Sequence, residues 1–227
     1  MIKLEEKLQK IDRLTNEGYE LQIGKYISEA FDIFKKNTGG FILFTVLTFV
    51  VSFALGTIPH KIGSIISFVI SAPLNMGFVI VARKIRYNEN YSFNDFFKGF
   101  DRFLDLFLAY LVVIIFVIIG MILLVLPGIY LAVAYAFVNC LVWFLYDGSI
   151  TNTLERSRKL VSKRWWSFLG FFLVIFLLNV GGILCLGIGL LVTAPVSAIS
   201  IYVCFEDLIG TEEEVAVSEV PVSGSAQ

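Results

Sequence analysis

The sequence holds one histidine, His60, three cysteines without a CxxC spacing and five prolines in 227 residues. One imidazole excludes the multi-histidine iron sites of membrane desaturases and carotenoid oxygenases. Cys140, Cys185 and Cys204 all fall in apolar runs, where a thiol acts as a small hydrophobe. HExxH, GxSxG and Walker-loop patterns are missing, and with them the spacings that set a zinc pair, an esterase nucleophile or a phosphate cradle. Charge is scarce too. Only 16% of residues are charged, against about 25% in soluble chains. These absences lead us to expect a chain that is not an enzyme and uses no metal or cofactor.

What the chain has in plenty is apolar surface. Residues of the AVILMFWYC set make up 57%, and the mean hydropathy is +0.82. A bilayer core needs about 20 mostly apolar residues per helix. Such stretches lie at 39–57, 62–82, 106–126, 128–146, 167–186 and 187–205, and they predict an all-α integral membrane fold with six transmembrane helices. The third and fourth stretches are continuous, as are the fifth and sixth. Pro127-Gly128 marks the first turn, and the second falls between Asn179 and Gly189. Residues 1–24 form a polar N-terminal segment, 25–207 the membrane domain, and 208–227 an acidic tail without aromatics, the composition of a disordered segment. The N-terminus lacks an apolar signal-peptide region, so the first span is expected to direct insertion.

Basic residues fix the expected orientation, because Lys and Arg in short loops stay on the cytoplasmic side. Of 18, seven precede the first span, five lie between Arg83 and Asp105, five lie between Asp147 and Trp166, and only Lys61 remains. Six spans put every Asp and Glu on the same side as those three groups. The chain is therefore expected in a bacterial inner membrane with both termini cytoplasmic.

Sliding the chain by about 61 residues superposes Lys98 on Lys159, Gly120 on Gly181 and Gly128 on Gly189. Twice that offset brings Ser71-Ala72-Pro73 onto Thr193-Ala194-Pro195. This self-similarity predicts three helical-hairpin repeats, each preceded by an amphipathic cytoplasmic segment. Ile27, Phe31 and Phe34 form the apolar face of the first segment. Phe93, Phe96, Phe97 and Phe100 supply that of the second, with Ser92 and Asp95 at capping-box spacing. The third has Ile150, Leu154 and Val161. Three hairpins invite comparison with mitochondrial carriers, but their proline–acidic–basic signature is absent.

The densest basic stretch holds Arg156, Arg158, Lys159, Lys163, Arg164, Trp165 and Trp166. Cations beside tryptophans at a span make these candidate lipid-headgroup contacts, not a nucleic-acid surface. No charged residue falls inside a span, so the polar candidates there are Ser71, Asn75, Asn139, Thr193 and Ser197. Interhelical hydrogen bonds, about 0.6 kcal/mol each, are their ordinary role; a substrate-facing Asn75 or Asn139 is the sharper alternative. Ser67, Ser71 and Asn75 recur every four residues, as do Gly181, Cys185, Gly189, Thr193 and Ser197, spacings that let helices pack closely. Pro73, Pro127, Gly128 and Pro195 are the candidate turn or kink positions. Leu4, Leu8, Ile11 and Leu14 line one face of an N-terminal helix, suited to the membrane surface or to a partner protein.

Five stretches taken together carry a resemblance: KYISEAFDIFKKN, SFNDFFKGFDRF, LPGIYLAVAYAF, ERSRKLVSKRWW and TAPVSAISIYVCFEDLIG. They resemble a group of bacterial multi-span proteins that includes relatives of the membrane domain of glycerophosphoryl diester phosphodiesterase. The likeness covers about residues 20 to 210. It implies the membrane fold and no activity, since catalysis in the phosphodiesterases belongs to a separate soluble domain. The expected function is organisation of membrane lipids, or of a membrane or cytoplasmic partner protein. Passive transport of a small apolar or lipid-like molecule is the alternative.

Overall fold

The computed structural model describes residues 2–58 and 62–210, whose regular structure is all helical, with no strand among them. His60, Lys61 and the acidic tail beyond Gly210 lie outside the described residues. Two helices come first, α1 (Ile2–Glu17) and α2 (Ile23–Lys36), then the apolar pair α3 (Thr38–Gly56) and α4 (Ile62–Arg86). A 3₁₀ segment (Phe93–Arg102) leads into α5 (Phe103–Leu123), followed by α6 (Val125–Ala134) and the short α7 (Val138–Phe144). The chain ends in α8 (Ile150–Lys163), α9 (Trp165–Leu184) and α10 (Leu190–Leu208). Six helices, counting α6–α7 as one, are long and apolar enough to cross a membrane. Their outer surfaces agree with a lipid solvent. Phe53, Ile122, Leu126, Leu184 and Leu186 are all more than three-quarters exposed, a display that water would penalise.

The turns differ from the expected positions. The first comes at Leu124, whose extended backbone (φ −161°, ψ 144°) ends α5, three residues before Pro127. Pro127 instead occupies the first turn of α6, where its missing N–H costs no helical bond. Gly128 serves close packing: a Cβ there would sit 2.4 Å from Met121 Cγ. The second turn runs through Leu186 (φ 56°) and Gly187 (φ 77°). Pro73 and Pro195 lie inside α4 and α10.

Burial sorts the six apolar helices into two sets. In their most apolar windows α4, α6–α7 and α10 are 50%, 44% and 56% buried, whereas α3, α5 and α9 reach only 17%, 17% and 22%. The first set forms the interior and the second its outer wall. Neighbouring helices cross at glycines, where the missing side chain admits backbone. A Cβ on Gly63 would overlap the Leu55 carbonyl, one on Gly120 would reach Gly128 Cα at 3.0 Å, and one on Gly189 would reach Gly182 Cα at 2.7 Å. Gly181, the residue matched to Gly120 in sequence, faces open space; its neighbour Gly182 makes the contact.

At the charged end the polar segments pack onto the apolar helices. The buried face of α2 is Tyr26, Ala30, Ile33 and Phe34, rotated from the expected one, so that Ile27 and Phe31 are only partly covered. Phe96 of the 3₁₀ segment is 1% exposed, with its ring 4.6 Å from Phe44 and 5.5 Å from Phe41. Asp95 accepts the Ser92 N–H at 2.8 Å and pairs with both Lys84 and Lys98. On α8, Leu154, Leu160 and Val161 are buried. Helix α1 lays Ile11 into the core, with Leu4, Leu8 and Leu14 partly covered beside it. Lys10 donates to the Ile209 carbonyl and Lys163 to that of Asn16, each at 3.0 Å. The N-terminal stripe is thus spent on the chain's own body.

Candidate functional site

The interior helices do not close on one another. Between α4, α7 and α10 lies a cavity of about 240 Å³, bounded by Asn75, Met76, Tyr110, Asn139, Cys140 and Ala198. Two of its walls follow from local breaks in helix geometry. Helix α6 stops at Ala134 and α7 starts at Val138, leaving Ala136 in the gap and on the cavity wall. Within an apolar bundle, irregular backbone survives only when other groups satisfy it or when it lines a cavity. Here the buried Ser157 hydroxyl of α8 donates to the Ala134 carbonyl at 2.9 Å. The second break is at Pro73, which deprives α4 of one helical bond just before Asn75.

The polar groups around this cavity are neutral. Asn75 donates one amide N–H to the Ser71 carbonyl at 2.9 Å, which fixes the carboxamide and leaves its oxygen for a ligand. Asn139 and the Tyr110 hydroxyl make no hydrogen bond among the described residues. Asn75 is exposed and Tyr110 and Asn139 are half-buried, so their polar atoms are open to a ligand able to hydrogen-bond. No carboxylate, ammonium or imidazole lies on the wall.

Asn75 also belongs to a second cavity of about 210 Å³ between α3 and α4, with Thr45, Thr48, Ser52, Ser67 and Ser71 on its surface. The row Ser67, Ser71, Asn75 therefore faces space and not a neighbouring helix, contrary to the close packing expected of it. The hydroxyls donate to their own helices, Thr45 to Phe41, Thr48 to Thr45 and Ser71 to Phe68, at 2.7–2.8 Å. Their oxygens keep lone pairs toward the groove. Ala194 of α10 closes the far side.

The other candidates sit elsewhere. Thr193 and Ser197 belong to the α9–α10 contact: Asn179 donates to Ser197 Oγ at 2.7 Å, and Ser197 to the Thr193 carbonyl at 2.6 Å. The turn at Leu186–Gly187 interrupts the glycine row. In the basic tract, Arg156 pairs with Asp147 at 2.8 Å and Lys159 with Glu155 at 2.8 Å, and Lys163 holds α1. Arg158, Arg164 and Trp166 are exposed, with Trp165 packed edge-on against Trp166 at 4.8 Å. Asp147 also accepts the Ser149 N–H and an Asn152 amide. Burial alone would raise its carboxyl pKa, but those bonds and Arg156 outweigh it and hold it below the ordinary range.

Sequence reading missed Tyr110, a ring inside a long apolar run, and α10 runs on to Leu208, one turn past the apolar stretch 187–205. The extra turn brings Asp207 to Lys25 and Tyr26 at 3.0 and 2.8 Å, and the buried Glu206 to the Tyr87 hydroxyl. No family model matches the chain, and neither does any curated protein or solved structure.

Proposed function

We propose that this chain is a non-enzymatic, multi-pass protein of a bacterial inner membrane, and that it holds a lipid or lipid-like molecule in the cavity between α4, α7 and α10. The observation that carries this reading is the pair of carboxamides, Asn75 and Asn139, on one cavity inside a bundle whose outside is apolar. A ligand reaching that site from the bilayer is mostly apolar with a neutral hydrogen-bonding group near its middle. Both termini are cytoplasmic in this reading, in keeping with the basic residues that cluster at one end.

The chain is further read as three copies of one unit. Support comes from the order of elements, in which a polar segment precedes an exposed apolar helix and then a buried one, three times. The resemblance to relatives of the phosphodiesterase membrane domain fits the same arrangement. Arg158, Arg164 and Trp166 are the tract residues left to meet headgroups.

Native mass spectrometry of the protein extracted in mild detergent tests lipid retention. One lipid per chain should persist, and Asn75→Leu with Asn139→Leu should release it. Equal lipid content in wild type and double variant would sink the proposal. Passive passage is a second reading, favoured by the polar row on α4. From Ser67 to Asn75 the row rises by about 12 Å of helix. Selective solute leakage from proteoliposomes, above empty vesicles, would favour it over simple holding.

A further inference from the structure

The polar side chains in the body of α3 and α4 face one space. Between Phe41 and Gly56 they are Thr45, Thr48 and Ser52; between Ile65 and Ala82 they are Ser67, Ser71 and Asn75. All of them line the groove of about 210 Å³ between the two helices. The helices meet at either end of it. Toward the α3–α4 connection a Cβ on Gly63 would overlap the Leu55 carbonyl. Toward the charged end Phe78 packs edge-on against Phe44, with ring centres 4.9 Å apart. Ala194 of α10 stands behind the groove, and its open side lies where Phe49, Ser52 and Asn75 are exposed.

Polar side chains on neighbouring membrane helices ordinarily hydrogen-bond across the interface. These do not. Thr45, Thr48 and Ser71 donate to carbonyls of their own helices at 2.7–2.8 Å, and Asn75 does so at 2.9 Å. No hydrogen bond joins the two rows among the described residues. The spent protons decide what fits between the rows. A hydroxyl that has donated keeps only its lone pairs, so the groove suits a ligand with several O–H donors. No acidic or basic side chain is on the lining, and a charge brought there in low dielectric would go unpaired. A neutral polyol meets both conditions. The groove's volume of about 210 Å³ is below the roughly 300–1,000 Å³ of sites that enclose drug-sized molecules. It therefore takes one small headgroup and leaves an acyl chain outside.

We propose that this groove is a second ligand site, and that it binds the uncharged polyol headgroup of a lipid such as a monoacylglycerol. Headgroup hydroxyls donate to Thr45, Thr48 and Ser71, and the acyl chain leaves by the open side past Phe49. The assignment to a polyol stands on the hydroxyl rows; the lipid source rests on the membrane setting of the proposed function. Asn139 lies on the other cavity and not on this one, so the two sites can be separated.

The full-length protein, held in an amine-oxide detergent without hydroxyls, is titrated with monododecanoylglycerol, dodecanol or glycerol. Native mass spectrometry counts the ligand bound per chain. Saturable binding of the monoacylglycerol is expected, with dodecanol and free glycerol both weaker. Thr48→Val together with Ser71→Ala should weaken it by about tenfold, and Thr48→Ser should keep it. Ser52→Ala changes an exposed position, so it tests the site even where the double variant does not fold; a loss of about threefold is expected. Asn139→Leu should leave this binding unchanged. Dodecanol binding as tightly as the monoacylglycerol would overturn the polyol assignment, and glycerol binding as tightly would overturn the lipid source. No saturable binding, full affinity in Ser52→Ala and the folded double variant, or loss in Asn139→Leu would overturn the site itself.

Discussion

Gly77→Ala probes how the 3₁₀ segment seats on α4. In an isolated helix this change is favourable by about 1 kcal/mol, because alanine loses less backbone freedom than glycine. In this fold the new Cβ would stand 2.0 Å from the Phe96 carbonyl oxygen, 2.9 Å from its carbon and 3.3 Å from Phe44 Cζ. Carbon–oxygen contacts start near 3.3 Å, so Phe93–Arg102 must retreat by about 1.3 Å. That motion pulls Phe96 from its stack on Phe44 and its edge contact with Phe41. Overpacking of this kind costs about 1–3 kcal/mol, so against the propensity gain a net loss of up to about 2 kcal/mol is expected. The assay is unfolding in mixed micelles at rising dodecyl sulfate fraction. Gly181→Ala is the control, since its Cβ meets nothing within 4 Å and should leave stability unchanged or slightly higher. Equal midpoints for the two variants would refute the seating of the segment.

Two further outcomes follow from the charged end. Asp147 has a carboxyl held below the ordinary range, so its contribution is complete above the unfolded value of about 3.9 and is lost as pH falls through the folded one. Wild type should therefore lose its advantage over Asp147→Asn under strong acid, and equal midpoints at pH 7 would contradict the role. At that pH the variant should be about 1–3 kcal/mol less stable. A reporter fused after Gln227 should be active in the cytoplasm; periplasmic activity would overturn the span count behind the orientation.

Much of the fold is legible in the sequence because lipid imposes a coarse rule. Long uncharged runs must be helices, and 39–57 and 62–82 fall close to α3 and α4. Turns were harder to place. Pro127 is both a turn former and a good first-turn residue, and only the packing of its neighbour Gly128 against Gly120 and Met121 decides between those roles. Close crossings need the third dimension as well: Gly181 matches Gly120 in register, yet Gly182 meets α10. At the candidate site, Asn75 and Asn139 were visible as polar residues in apolar runs, while their meeting across 64 positions was not. The face of α2 was misjudged for a related reason: Tyr26 is amphipathic, and only contact with Phe171 shows that it points inward.

A map of the protein in lipid nanodiscs, at a resolution that shows acyl chains, tests the central claim most directly. Elongated density should pass between Asn75 and Asn139, in the cavity bounded by α4, α7 and α10. Collapsed interior helices, with the two carboxamides bonded to each other and no density between them, would contradict it.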